Sequence, residues 1–475
     1  MLRSRSKLLL VLAFAAWLPA LAAQAQQAGP GPARPATIEG PTKVEYQARR
    51  AALMEAIKKA EAGGRHGAGG MVVVLVGGGE PGEDARFRQE NDFRYLTGVE
   101  QPHASAILRP DTGEETLYLP PRNPAQDRWI GPRLGPGPEA ADRTGFARVE
   151  STAAFLADLF RAIGDPRTGD RSSASAAVVY LLDPAPRPPS ITPAARLSRF
   201  AREGAPSAWF KDVATIVHEM RKGKSEAEAT LIRRAVAVTA DAHREVARLI
   251  RPGVPEYRLE GAILGAFVAG GASRAGFPSI VGSGPNSTVL HYEKNDRTIE
   301  DGDLCVVDIG GEYKGYTADI TRTYPANGHF TPRQREVYQL VLDAQTAAVA
   351  AFKPGQSTIG ELNRTAREFF KASPVRARDD QGTEQTMDHF FAHGLGHHMG
   401  LDVHDVGDQS KPLQPGEVFT IEPGLYIPGE SLGVRIEDDY RVTPEGLEKL
   451  SQAIPSEVEG VERAIARGRA ESANP

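Results

Sequence analysis

The feature that most restricts how this chain can fold is a repeat. Gly302-Asp303-Leu304-x3-Asp308-x-Gly310 recurs 114 residues later as Gly416-Glu417-Val418-x3-Glu422-x-Gly424. In each copy an apolar strand ends on a carboxylate just before a glycine. Each copy also has the same preamble: a helical stretch, a Pro-Gly break and a second helical stretch. In the first these are Ser225 to Arg251, Pro252-Gly253 and Pro255 to Gly270, with the capping box Ser225-x-x-Glu228 at the start. In the second they run from Thr331-Pro332 to Pro354-Gly355 and then from Ile359 to Lys371. A strand signal that recurs with its helices predicts an internally duplicated α+β unit. A duplicated fold facing itself brings Asp308 and Glu422 towards one shared cleft.

A different pattern precedes this unit. Lys43 to Ala62 and residues 151–163 read as helices, and Met71-Val-Val-Val-Leu-Val76 as a buried strand. Ala106 to Leu108, Leu117 to Leu119 and Ala176 to Leu182 read as further strands. The alternation predicts an α/β domain over 43–205, followed by the duplicated unit over 206–455 and a polar tail, 456–475, forming a surface helix. At 475 residues the chain has the length of two or three domains of roughly 150 residues.

Arg3, Arg5 and Lys7 precede an apolar run from Leu8 to Leu21 and the small-residue site Ala23-Gln24-Ala25. This predicts a secretory signal peptide over 1–25, a flexible leader over 26–42 and a periplasmic or secreted product. The run is shorter than the about 20 residues of a membrane span, and no later segment approaches it, so no stable membrane anchor is expected. The formal charge of −5 disfavours nucleic acid as a partner. A single cysteine, Cys305, excludes an internal disulfide framework and a cysteine-based zinc site.

Asp308 and Asp319 flank Gly310-Gly311-Glu312-Tyr313-Lys314-Gly315. A hairpin centred between Tyr313 and Lys314 sets the two aspartates directly opposite each other on one face, whereas a looser turn would offset them. Like charges so placed are destabilising unless a metal ion or a shared proton neutralises them. Of 11 histidines, His393, His397, His398 and His404 fall within 12 residues. His393-Gly-Leu-Gly-His397 has helical spacing, but two glycines oppose a helix, and a glycine-rich loop offering one or two imidazole ligands is expected. Glu422 closes the strand Val418 to Glu422. In Gly433-Val-Arg-Ile-Glu-Asp-Asp439, alternation places Arg435, Glu437 and Asp439 on one face, either at a site or as a solvated ion pair. Four carboxylates with an imidazole suit Mn²⁺, Co²⁺ or Zn²⁺, and two such ions, sharing bridging carboxylates, promote hydrolysis of an amide or ester.

In order along the chain, His291-Tyr292, Asp308-x10-Asp319-Ile-Thr-Arg-Thr323, His393-Gly-Leu-Gly-His397-x2-Gly-Leu-Asp-Val-His404-Asp, Ile421-Glu422-Pro-Gly and Arg435-Ile-Glu437-Asp resemble the aminopeptidase P/prolidase group of pita-bread metallopeptidases. Phe87-Arg-Gln-Glu-Asn-Asp-Phe-Arg-Tyr-Leu-Thr-Gly98 is similar to the N-terminal domain that accompanies aminopeptidase P, extending the resemblance over about 43–455. It implies an α/β N-terminal domain ahead of a pita-bread catalytic domain with an internal pseudo-two-fold. It also implies two divalent metal ions, manganese first, with zinc or cobalt as alternatives. Asp308 and Asp319 would hold one ion, Asp319 and Glu437 would bridge, and His397 and Glu422 would complete the other shell. Glu422 would also relay the proton of the bridging water. His291 and His404 would contact the substrate carbonyl, His393 would support the proline pocket, and Arg435 would orient its carboxylate neighbours.

Further implications concern Trp129, in a segment that reaches a neighbouring subunit in some relatives, and a homo-oligomer, dimer or tetramer. His398 departs from the family pattern, which often has a bulky apolar or aromatic residue there. The implied substrates are peptides with proline at the second position. An X-Pro bond is a tertiary amide without an N–H, so peptidases that read that N–H bind it poorly. The competing readings are a prolidase restricted to Xaa-Pro dipeptides and a non-catalytic peptide-binding module.

Overall fold

The computed structural model of the chain describes residues 40–62, 70–81, 86–164, 177–182 and 193–473. The predicted signal peptide, 1–25, and nearly all of the leader lie outside the described residues. The chain enters on helix α1 (Lys43–Glu61), whose N-cap Thr42 accepts the Glu45 N–H. Strands β1 (Met71–Val76), β2 (Ser105–Arg109), β3 (Glu114–Leu119), β4 (Arg148–Ser151), β5 (Val178–Leu181) and β6 (Trp209–Asp212) then form one mixed sheet in the order β4-β3-β2-β1-β5-β6. β1, the most apolar of these segments, lies inside that sheet with Val72 to Leu75 buried. Helices α2 (Asn91–Thr97), α3 (Pro124–Ile130), α4 (Pro138–Thr144), α5 (Phe155–Ile163) and α6 (Pro193–Gly204) accompany it. α5 buries Phe155, Leu159 and Ile163, spaced by four, against Val72, Val74 and Val179. Each such side chain contributes about 2 kcal/mol of burial. β6 pairs in parallel with β5, so the first sheet continues past residue 205, where the sequence placed its end.

After α7 (Ala214–Lys222) the duplicated unit unfolds in two matching passes. The first runs α8 (Glu226–Leu249), α9 (Glu256–Ala269), β7 (Arg274–Ala275), β8 (Ile280–Ser283), β9 (Leu304–Ile309), β10 (Gly311–Tyr313), β11 (Tyr316–Thr317) and β12 (Ile320–Pro325). The second runs α10 (Pro332–Ala351), α11 (Ile359–Ala372), β13 (Arg376–Arg378), β14 (Glu384–Thr386), β15 (Val418–Ile421), β16 (Gly424–Ile427), β17 (Leu432–Arg435), β18 (Asp438–Thr443) and β19 (Gly446–Lys449). The two passes correspond in detail. Gly302 and Gly416 both adopt left-handed φ, +86° and +92°, at the entry to β9 and β15. Ser283 of β8 pairs with Cys305 of β9, and His398 pairs with Phe419 of β15, the residue that the repeat offset matches to Cys305. Two matching halves closing on one cleft is the pita-bread arrangement that the resemblance implies.

Two further expectations need correction. The β9–β12 hairpin turns at Lys314-Gly315, with φ of +46° and +82°, so Asp308 pairs with Thr321 rather than with Asp319. A two-residue turn of this kind takes left-handed φ at both positions, and Lys314 gave no sign of it. Asp319 lies two residues from Thr321, so the strand period still sets it on the same face, diagonal to Asp308. The tail, in turn, is not merely a surface helix. α12 (Val458–Ala473) buries Val458, Val461 and Ile465 in the same core as α8 and β9.

Candidate metal centre

Five segments deliver the five predicted ligand residues. Asp308 closes β9, Asp319 precedes β12, Glu422 follows β15 and Glu437 joins β17 to β18. His397 lies in an extended segment beside β15, where Thr420 N–H donates to the His397 carbonyl at 2.9 Å and Glu422 N–H to that of Leu395 at 2.8 Å. One ligand atom each from Asp319, His397 and Glu437 lie within 4.8 Å of one another. His397 Nε2 stands 3.3 Å from Asp319 Oδ2 and 3.5 Å from Glu422 Oε1. Its Nδ1 faces the His398 carbonyl at 3.1 Å, an acceptor, so Nδ1 carries the proton and Nε2 presents its lone pair to the carboxylates.

The electrostatics are those of a cation site. Asp308, Asp319 and Glu437 are all buried, and Asp308 Oδ1 and Asp319 Oδ1 have no hydrogen-bond partner. Burial, then the charges of Asp308, Asp439 and Glu422, push Asp319 well above the ordinary carboxylate range. Burial, then Asp319, Glu422 and Asp308, do the same to Glu437. Burial raises Glu422 against the opposing pull of His397 and Arg435. Acceptor-only oxygens crowded in this way around an imidazole lone pair fit one or more divalent cations.

Neighbouring residues hold these side chains in place. Thr321 Oγ1 donates to Glu437 Oε2 at 2.6 Å, and the Asp319 N–H donates to Asp439 Oδ2 at 3.3 Å. Arg435, predicted to orient its neighbours, donates to Asp308 Oδ2 at 2.6 Å. Arg435, Glu437 and Asp439 are buried, which excludes the solvated strand face. They do not share one continuous strand, because Ile436 and Glu437 interrupt β17 and β18.

Sequence reasoning missed Tyr426. Its hydroxyl accepts from Arg435 NH1 at 2.8 Å and lies 2.8 Å from His393 Nε2. His393 Nδ1 faces the Gly394 carbonyl at 2.8 Å, so Nε2 is the acceptor and Tyr426 donates to it. A polar chain thus runs Asp308–Arg435–Tyr426–His393. Burial and Arg435 push His393 down to about 4, which keeps it neutral. Tyr426 sits in the apolar strand Gly424–Ile427, where it reads as core, and nothing in the sequence sets it apart.

The five predicted ligand residues and His291, His393 and His404 line a cavity of about 600 Å³, walled on its apolar side by Phe277, Pro278, Ile280 and Leu290. The His404 ring lies edge-on to that of His397, 4.2 Å between centroids at 69°. Burial, then His397 and His291, lower the His404 pKa. His398 is buried at the same cavity with neither ring nitrogen hydrogen-bonded, and its ring lies where a Cβ on Gly407 would be. Trp129 stands on α3, 88% exposed, and does not line this cleft.

Comparison with known proteins agrees with this geometry. Residues 230–444 match the model of metallopeptidase family M24, and residues 46–168 that of the aminopeptidase P N-terminal domain. The Xaa-Pro aminopeptidase of Escherichia coli is 34% identical over 90% of this chain and 99% of its own. The human Xaa-Pro dipeptidase is 31% identical over 84% and 89%. A substituted Escherichia coli aminopeptidase P, solved in complex with substrate, is 32% identical with a TM-score of 0.77, covering 91% of this chain and 100% of that one. With both regions matched and relatives above 30% identity covered over most of their length, the chain belongs to metallopeptidase family M24 and carries the aminopeptidase P N-terminal domain.

Proposed function

We propose that the chain is an Xaa-Pro aminopeptidase that hydrolyses the bond between the first residue of a peptide and a proline at position two. The observation that carries this reading is the convergence of Asp319, His397 and Glu437 to within 4.8 Å, beside Asp308 and Glu422, in a cleft edged by His393 and Arg435. Asp308, Asp319, His397, Glu422 and Glu437 would hold two divalent cations, manganese being the proposed metal. Such a pair, when bound, lowers the pKa of water and polarises the scissile carbonyl.

The chain's own residues do the rest. Glu422 accepts the proton of the attacking water and returns it to the proline nitrogen, which has no hydrogen of its own and must gain one to leave. Neutral His404, together with His291, donates to the carbonyl oxygen as charge develops there. The Asp308–Arg435–Tyr426–His393 chain fixes the wall against which the pyrrolidine ring packs. Aminopeptidase rather than dipeptidase activity is supported by the comparison of the two relatives, the Escherichia coli aminopeptidase matching at 34% identity over 99% of its length and the human dipeptidase at 31% over 89%.

The assay is hydrolysis of Xaa-Pro-Xaa tripeptides and Xaa-Pro dipeptides by purified protein loaded with manganese. Release of the first residue from the tripeptide is expected. Cleavage of dipeptides alone would replace the reading with a prolidase, and no cleavage with binding retained would replace it with a peptide-binding module. Residues 1–25 are proposed to direct export to the periplasm and the chain to form a homo-oligomer, which N-terminal sequencing of the exported protein and light scattering would check.

A further inference from the structure

The turn that carries His404 is gripped by the N-terminal domain. Thr317 N–H donates to the Gly400 carbonyl at 2.9 Å, and Asp405 N–H to that of His398 at 2.8 Å. From the N-terminal side, Arg88 donates to Glu312 Oε2 at 2.8 Å and to the Leu401 carbonyl. Asp92, in the first turn of α2, accepts from Arg221 NH1 at 2.6 Å. The second arm of Arg221 reaches Asp405 Oδ1, and Lys224 Nζ lies 3.1 Å from Asp405 Oδ2. All four side chains are at most 8% exposed, and their charges cancel in pairs. Nearby, Arg94 of α2 donates to the Lys314 carbonyl at 2.6 Å and Tyr95 Oη to that of Met220 at 2.8 Å.

We infer that Arg88 and the Asp92–Arg221–Asp405–Lys224 network are positioning residues through which the N-terminal domain sets the place of His404 within the same chain. The coupling is physically continuous. Asp405 is covalently next to His404, its carboxylate is held from both sides, and the start of the turn is tightly packed at Gly400. A Cβ on Gly400 would lie 2.3 Å from Asp405 Oδ2 and 2.7 Å from Lys224 Cε. Charge-assisted bonds away from solvent are the strong ones, and losing one partner leaves the other uncompensated. Because His404 sits edge-on to His397, a shift of about 1 Å in its turn misaligns it with the reacting carbonyl, a displacement that can cost on the order of a hundredfold in rate.

This inference rests on the proposed peptidase reading, and its test separates the two. Arg88→Gln and Asp92→Asn are made in the full chain, alone and on a His404→Ala background. Each single variant is expected to lose about tenfold in kcat on an Xaa-Pro tripeptide with KM within about twofold, metal content unchanged and partial recovery in Arg88→Lys. On the His404→Ala background the same substitutions are expected to change the residual rate by less than about twofold. Amide hydrogen exchange of residues 400–405 is expected to quicken in both variants, a readout that needs no activity. An undiminished loss on the His404→Ala background, or exchange at the wild-type rate, overturns the inference. A wild-type protein inactive on every Xaa-Pro peptide overturns the peptidase reading instead, and hydrogen exchange still decides whether the clamp exists.

Discussion

In the proposed mechanism Glu422 is one carboxylate asked to serve both a cation and a proton. Its Oε1 lies 3.5 Å from His397 Nε2 and 3.4 Å from Thr420 Oγ1, so its position is fixed from the neighbouring segment as well as from β15. Glu422→Gln keeps the size and removes the base. We predict a kcat loss of at least about 100-fold with an unchanged far-UV spectrum, measured on an Xaa-Pro tripeptide; wild-type turnover in that variant would remove Glu422 from the mechanism. At this scale the sequence was informative wherever chemistry forces a residue type. Carboxylates at strand ends before glycines, and clustered histidines, have few structural uses, and all five proposed ligands do meet in one cleft. Tyr426 was invisible because a tyrosine in an apolar strand is the ordinary content of a core. The tautomer of His397 was equally invisible, because it depends on a carbonyl that only the fold brings to 3.1 Å.

The segment 394–399 shows how an element can be shaped by two glycines that act differently. A Cβ on Gly396 would lie 2.0 Å from the Thr420 carbonyl, whereas one on Gly394 meets nothing within 4 Å. Gly396 therefore lets the His397 segment lie flat against β15, and Gly394 has no such duty. Gly396→Ala is predicted to destabilise the protein by roughly 1–3 kcal/mol and to lower bound metal, while Gly394→Ala leaves melting temperature and metal content at wild-type levels. Metal analysis and thermal melts of the pair would check this, and equal behaviour of the two variants would refute it. The sequence did show that glycines oppose a helix here. It did not show the pairing with β15, because the partner lies more than twenty residues on. The β9–β12 register was misplaced for a related reason. A turn's position is set by which residues tolerate left-handed φ, and Lys314 does so only because Gly315 follows and the strands on both sides hold it.

Across the whole molecule, the buried acids make stability depend on cation and pH together. Burial and mutual repulsion raise Asp319 and Glu437 in the metal-free protein. The folded state then holds protons that the unfolded chain releases, so between the ordinary carboxylate value of about 4 and the raised folded values the metal-free protein loses stability as pH increases. Bound cations keep these groups ionised and stabilise the folded state by mass action. The gap in melting temperature between manganese-loaded and chelator-treated protein is therefore predicted to widen from about pH 5 to pH 8. Scanning calorimetry across that range would test it, and a gap that narrows as pH increases would contradict it. The duplication has one more consequence. Asp308 and Asp319 belong to the first pass of the fold, His397, Glu422 and Glu437 to the second, and neither pass has a complete ligand set. On the proposed ligand set, a nascent polypeptide owns four of the five groups once Glu422 has been made and the fifth only with Glu437, so the coordination sphere closes after β17 has been synthesised.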